Sequence, residues 1–171
     1  MINQKREDQK SQKGDCIKQK DLLDLLMETF DEESGQRMDK QELHAQIHLF
    51  MLAGHETSSV AMSWTLYFLA QYPEIQEKVR REIREKLEDK EMTWDTFESM
   101  EYLAAVINES LRLRPPAAMI PRVTIKEDNI LGYKIPQDST VVLFPYMVHR
   151  LPQYWKLDPE KFIPDRFLTP G

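Results

Sequence analysis

The sequence predicts a mainly α fold with small β elements, built around one long central helix. Three observations predict it. Residues 39–71, DKQELHAQIHLFMLAGHETSSVAMSWTLYFLAQ, carry Leu43, Ile47, Phe50, Val60, Trp64 and Phe68 at three- and four-residue spacing, the period of a helical face. Two further helical patterns follow, at residues 73–89 and 100–113. After Arg114-Pro115-Pro116 the texture changes to recurring prolines with short β-rich runs.

The long helix is expected to span on the order of 50 Å at 1.5 Å per residue. Asp39 and Glu42 form a capping-box start, and Tyr72-Pro73 is a stop. From Val60 onward apolar residues spread nearly all the way round, which predicts a buried end. Its middle, Ala53-Gly54-His55-Glu56-Thr57-Ser58-Ser59, breaks local rules. Gly54 costs about 1 kcal/mol relative to Ala in a helix interior. Thr57 can turn its hydroxyl back onto the carbonyl of Ala53 and bend the helix. One reading is a small polar notch with an acid beside a hydroxyl, the kind of violation that marks functional sites. The other, a plain kink with a partly solvated Glu56, stands beside it.

Before that helix, residues 1–20 are polar, a solvated helix extension or a disordered lead-in. Residues 21–30 form a short amphipathic helix and 31–38 a polar loop with Gly35. After it, Pro73 sits at a first helical position and opens a charged surface helix whose acids and bases pair four apart. Thr93 begins a short polar helix, and residues 100–113 a better-patterned one. β-rich runs follow at residues 122–125, 130–135 and 140–144, with a tight hairpin signalled at Asn129 to Lys134. Residues 154–171 look like an ordered, Pro- and aromatic-rich meander.

The totals exclude several functions. A net charge of −6, with no basic stripe among aromatics, argues against nucleic acid as a partner. One cysteine, Cys16, excludes an internal disulfide framework and a cysteine-clustered metal site. No run approaches the roughly 18 apolar residues of a membrane span, and Met1 opens no signal peptide. His44, His48 and His55 fall along one helical stripe. His55-Glu56 begins like a zinc-protease motif, but Ser59 stands where its second histidine belongs. A polar helix face accounts for the three imidazoles better than a metal site, and no metal is expected on them.

Glu109 and Arg112, three apart, share one helix face and can pair. Glu77 and Arg80 have the same spacing. Context separates them: the first pair lies in an apolar helix, the second among other charges. Burial is expected for the first, and Arg166, in Pro164-Asp165-Arg166-Phe167, is available as a third partner. His149-Arg150 lies in a loop, structural or ligand-facing.

Four stretches, in order, together resemble the C-terminal half of a cytochrome P-450, the haem-thiolate monooxygenase family. They are Ala53 to Ser58, Glu109-Ser-Leu-Arg112 with its Leu-Arg-Pro-Pro continuation, Arg122-Val-Thr, and His149-Arg150 through Trp155 to Phe167. The match runs from about Asp21 to the end, so that residues 21–171 would be one partial cytochrome P-450 domain. The resemblance implies that Glu56 and Thr57 steer protons in oxygen activation, with Ala53 and Gly54 forming a groove above the haem. It implies that Glu109, Arg112 and Arg166 are scaffold, and that Arg122 pairs with a haem propionate; an ordinary strand arginine is the alternative for Arg122. Ala117, Ala118, Met119 and Ile120 would line an apolar substrate pocket, or else serve only as turn packing.

The implied cofactor is haem b, iron protoporphyrin IX. The implied partners are O2, an apolar small molecule and an electron-donating reductase or ferredoxin. The implied place is the endoplasmic reticulum membrane for a eukaryotic microsomal member, held by an N-terminal segment outside these residues, and the cytoplasm otherwise. The family's iron is held by a cysteine thiolate beyond the Phe167 meander. This sequence reaches Thr169-Pro170-Gly171 before one, and Cys16 lies in a lysine-rich polar stretch. The chain alone is therefore expected to be inactive. Two other classes remain: a truncated, non-catalytic helical interaction module, and a zinc hydrolase built on His55-Glu56.

Overall fold

A computed structural model of the chain describes residues 20–29, 35, 37–88 and 91–168. The expected lead-in with Cys16, most of the 31–38 loop and the last three residues lie outside the described residues. Two compact units form, Met1–Leu52 and Ala53–Gly171.

In the first unit, α1 (Leu22–Glu28) is shorter than the predicted 21–30. Asp21 accepts from Asp24 N at 3.0 Å and Asp24 returns the bond at 3.1 Å, a reciprocal cap that satisfies two otherwise orphan amides. No residue of α1 is buried. The long helix α2 (Lys40–Gln71) begins on the same logic. Asp39 accepts from Gln41 N and Glu42 N, and Glu42 accepts from Asp39 N at 2.9 Å. Leu43 is the buried residue of this first stretch, while His44 and His48 are exposed with ring centroids 6.1 Å apart.

In the second unit α2 continues through its polar middle without interruption. Thr57, Ser59, Ser63 and Thr65 each donate to a carbonyl three or four residues back, at 2.7 to 2.9 Å. Hydroxyls that would compete with the helix ladder are thus absorbed by it. α3 (Pro73–Leu87) and α4 (Trp94–Glu98) lead to α5 (Glu101–Leu113), the best-buried helix among the described residues. Phe68 from α2, Ile75 and Val79 from α3, and Tyr102, Val106 and Leu113 from α5 form one core with Phe162. Phe162 stacks on Phe68 at 4.4 Å and 9°, and on Tyr72 at 5.4 Å. Arg114, just past α5, lies 4.6 Å over the Trp64 ring.

The apolar end of α2 is less enclosed than its composition predicts. Phe68 is buried, but Met62, Leu66 and Tyr67 stay exposed, because no described residue covers their side of the helix. Leu49 to Leu52 are exposed as well.

Two small antiparallel sheets follow α5. β1 (Ile120–Val123) pairs with β4 (Thr140–Leu143), with Ile120 opposite Leu143. The strand thus starts at Ile120, two residues before the predicted 122. Pro121 is tolerated because a two-stranded sheet has only edges. β2 (Asp128–Ile130) and β3 (Tyr133–Ile135) form the expected hairpin. Its two loop residues, Leu131 at φ 52° and Gly132 at φ 88°, split the predicted run 130–135. Both positive angles belong to the turn that matches strand twist. α6 (Pro145–Val148) and two 3₁₀ turns, Pro152–Tyr154 and Pro164–Phe167, complete the chain.

Candidate functional site

Glu109, Arg112 and Arg166 are brought together beneath the meander. Glu109 sits on the buried face of α5 and is fully buried. Its Oε2 accepts from Arg112 Nε at 2.7 Å. Its Oε1 accepts from Arg112 Nη2 at 2.9 Å, Ile163 N at 2.8 Å and Arg166 Nε at 3.0 Å. The three-residue spacing on α5 gives the fork-on-fork pair, and the 3₁₀ turn at Pro164–Phe167 swings Arg166 in from the far side.

Burial on this scale is tolerable only if the remaining donors are used. They are. Arg112 Nη1 donates to the carbonyls of His149 and Pro159, both at 2.7 Å, and Nη2 to that of Lys161 at 3.1 Å. Arg166 donates to the carbonyls of Leu157, Asp158 and Lys161. Trp155 covers both guanidiniums, at 4.9 and 5.5 Å. One carboxylate and two forks therefore hold the whole stretch from His149 to Arg166 against α5.

α5 is itself placed by Glu82 of α3, a residue the sequence pattern does not single out. Met100 at the helix N-cap has no side-chain acceptor to offer. The Glu82 carboxylate takes its place, accepting from Tyr102 N and Leu103 N at 2.8 Å each. These are two of the amides that a helix start leaves unpaired, and a negative charge there also meets the positive end of the helix dipole.

The polar middle of α2 is open. Residues 53–58 are exposed, and a Cβ added at Gly54 would meet nothing within 4 Å. Thr57 Oγ1 donates to the Ala53 carbonyl at 2.7 Å, which uses its proton and leaves its lone pairs free to accept. Arg122, on β1, is exposed; its guanidinium donates to the adjacent Pro121 carbonyl at 2.8 Å. Among the described residues it has no carboxylate partner. Ala117 and Met119 are exposed, Ala118 and Ile120 half-buried.

The arrangement fits a haem in part. An unpaired, forked cation on a strand suits a propionate, and an uncrowded glycine on a helix leaves room for a flat ring. No described residue is a thiolate, since the one cysteine, Cys16, is not described. Among the described residues no three His, Cys, Asp or Glu side chains gather to hold a metal ion. No helix among them is long and apolar enough to cross a membrane.

The family model for cytochrome P450 matches residues 1–171. Cytochrome P450 3A16 of Mus musculus is 42% identical over 152 residues, 86% of this chain and 30% of that protein. Cytochrome P450 3A5 of Homo sapiens is 42% identical over 157 residues, 88% of this chain and 31% of the relative. Cytochrome P450 4V2 of Mus musculus is 36% identical over 152 residues, 88% and 29% of the two chains. The chain thus spans less than a third of the length of the curated relatives it matches.

Proposed function

The chain belongs to the cytochrome P450 family of haem monooxygenases, and from that premise we propose that it serves in inserting one oxygen atom of O2 into an apolar organic substrate. Family membership over the whole chain carries this reading. We take residues 21–171 as part of one cytochrome P-450 domain. A reductase or ferredoxin supplies electrons, and a microsomal member would work at the endoplasmic reticulum membrane, any other in the cytoplasm.

Haem b, when bound, supplies the redox centre at which O2 is activated. Arg122 would hold a propionate with the guanidinium N–H groups that Pro121 leaves unused, and Ala53 and Gly54 would border the ring's face. Glu109, Arg112 and Arg166 fix the meander and touch no substrate. Ala117, Ala118, Met119 and Ile120 offer an apolar wall, so the substrate surface they meet is apolar.

Glu56 and Thr57 would manage protons. Glu56, exposed, would be the acid on the water side of that path. Thr57 Oγ1, already donating to the Ala53 carbonyl, accepts a hydrogen bond first and passes a proton on only by rotating its own O–H away from Ala53.

Two measurements test the reading. In the full-length protein, Thr57→Ala should keep haem uptake and divert electrons into peroxide; unchanged coupling of electron use to product would remove Thr57 from the proton path. The 171-residue chain by itself, whose only cysteine is Cys16, should give no thiolate–haem absorbance band after reduction and carbon monoxide. A full band would overturn that.

A further inference from the structure

The last carbonyls of α5 have no partners within the helix, and the chain leaves it through Arg114-Pro115-Pro116. Two of these carbonyls are taken by consecutive residues of the turn after α6. His149 Nδ1 lies 3.1 Å from the Arg112 carbonyl, so Nδ1 carries the proton, and Arg150 Nη2 donates to the Leu113 carbonyl. Arg150 does more than cap. Its Nη1 donates to the Tyr146 carbonyl at 3.1 Å, and its guanidinium carbon lies 3.8 Å from the Tyr146 ring centroid. Its Nε faces Glu160 at 3.5 Å, and the side chain is only 13% exposed. Tyr146 in turn donates its N–H to the Ala118 carbonyl.

The two ends of the segment 114–118 are thus held by one clamp, through Leu113 at one end and Ala118 at the other. Between them the segment has little of its own. Pro115 and Pro116 have no N–H, and the backbone of residues 115–119 donates no turn or loop hydrogen bond.

We infer that Arg150 is a positioning residue that sets where the Ala117–Met119 wall stands relative to α5, and hence which ligand shapes the pocket accepts. Calling that wall a pocket rests on the function proposed above; the clamp itself does not. A planar fork is required, because a lysine reaches one carbonyl at a time and cannot lie flat on Tyr146 while bonding both the Leu113 and the Tyr146 carbonyls.

The test compares the full-length protein with Arg150→Lys, and with Glu160→Gln, which keeps the clamp. Exchange of the Tyr146 amide, which donates to the Ala118 carbonyl, should quicken roughly tenfold in Arg150→Lys, with residues 106–110 of α5 unchanged. In the holoprotein, the ratio of 4-phenylimidazole to imidazole dissociation constants should shift about tenfold, the scale of a methylene gained or lost in an apolar pocket. Imidazole, which lacks the phenyl ring, serves as the reference ligand. Glu160→Gln should leave both readouts near wild type. Unchanged exchange at the Tyr146 amide in Arg150→Lys overturns the inference, as does exchange that quickens equally along α5, the mark of general loosening. An altered exchange pattern with an unaltered ligand ratio overturns the selectivity role. A wild-type protein that gives no imidazole-dependent haem spectrum refutes the proposed function instead, and the exchange measurement still decides the clamp.

Discussion

Replacing Glu109 with Gln separates a buried ion cluster from a surface one that has the same sequence spacing. Glu109 accepts four hydrogen bonds, three of them from two guanidiniums whose side chains are 1% and 5% exposed. A glutamine has one acceptor oxygen, so its NH2 must face an arginine N–H, and two cations lose their only shared anion. Breaking a buried pair in this way costs about 3–5 kcal/mol. With a urea slope of about 2 kcal/mol per molar, the midpoint should fall by about 2 M. Glu77 supplies the control. It lies 3.9 Å from Arg80 and 3.4 Å from Arg84, all roughly half exposed or more. Glu77→Gln should move stability by less than about 1 kcal/mol. The assay is urea unfolding of the full-length protein, followed by far-ultraviolet circular dichroism and by haem absorbance. Equal shifts for the two variants would refute the assignment of the Glu109 cluster as the clasp of the meander.

Glu82→Ala should destabilise by about 1 kcal/mol through loss of the borrowed helix cap, against under about 0.5 kcal/mol for Glu85→Ala; thermal melts of both compare them. Among the described residues the buried Tyr102 Oη has no hydrogen-bond partner, so Tyr102→Phe should be neutral or mildly stabilising in the same melts, and a loss above about 1 kcal/mol would contradict that. Burial pushes the Tyr102 phenol up, and Lys78 beside it is also raised, first by Tyr102 and then by Asp165. Both groups therefore lose protons in the unfolded chain before they do in the folded one. Stability should be whole below about pH 10 and fall as pH rises past it, and a urea midpoint that is flat or rising from pH 10 to 11 would count against this. Leu131 holds a left-handed backbone while almost wholly exposed, so Leu131→Asn should stabilise the hairpin by up to about 1 kcal/mol, read as a raised melting temperature.

The helical framework was legible because its signals are local. Asp39 with Glu42, Tyr72 before Pro73, and Arg114 before two prolines mark ends by chemistry that acts within a few residues. The Glu109–Arg112 pair was legible for the same reason, helped by the apolar residues around it. Arg166 lies 57 residues from Glu109; its setting offered it only as an available third partner, and the likeness of the whole meander to a known family gave it that place. Glu82 was illegible. In a helix full of acids, nothing local separates the carboxylate that caps α5 from those at Glu77 or Glu85, because its partners come 20 residues later. The apolar run after Val60 misled in the opposite way: composition reports what a helix side seeks, and here Met62 and Leu66 remain uncovered by any described residue. Leu131 gave no warning either, since an asparagine is the usual signal for that backbone.

Phe162 lies between the two residues that serve the charges. The Lys161 carbonyl accepts from Arg112 and Arg166, and the Ile163 amide donates to Glu109, while the ring between them rests on Phe68 and Tyr72. Grease and ions thus share three consecutive residues of backbone. An agent aimed at either alone, acid at the carboxylate or an alcohol at the rings, must dislodge both together. The meander should come off α5 in a single step, with no halfway state to catch.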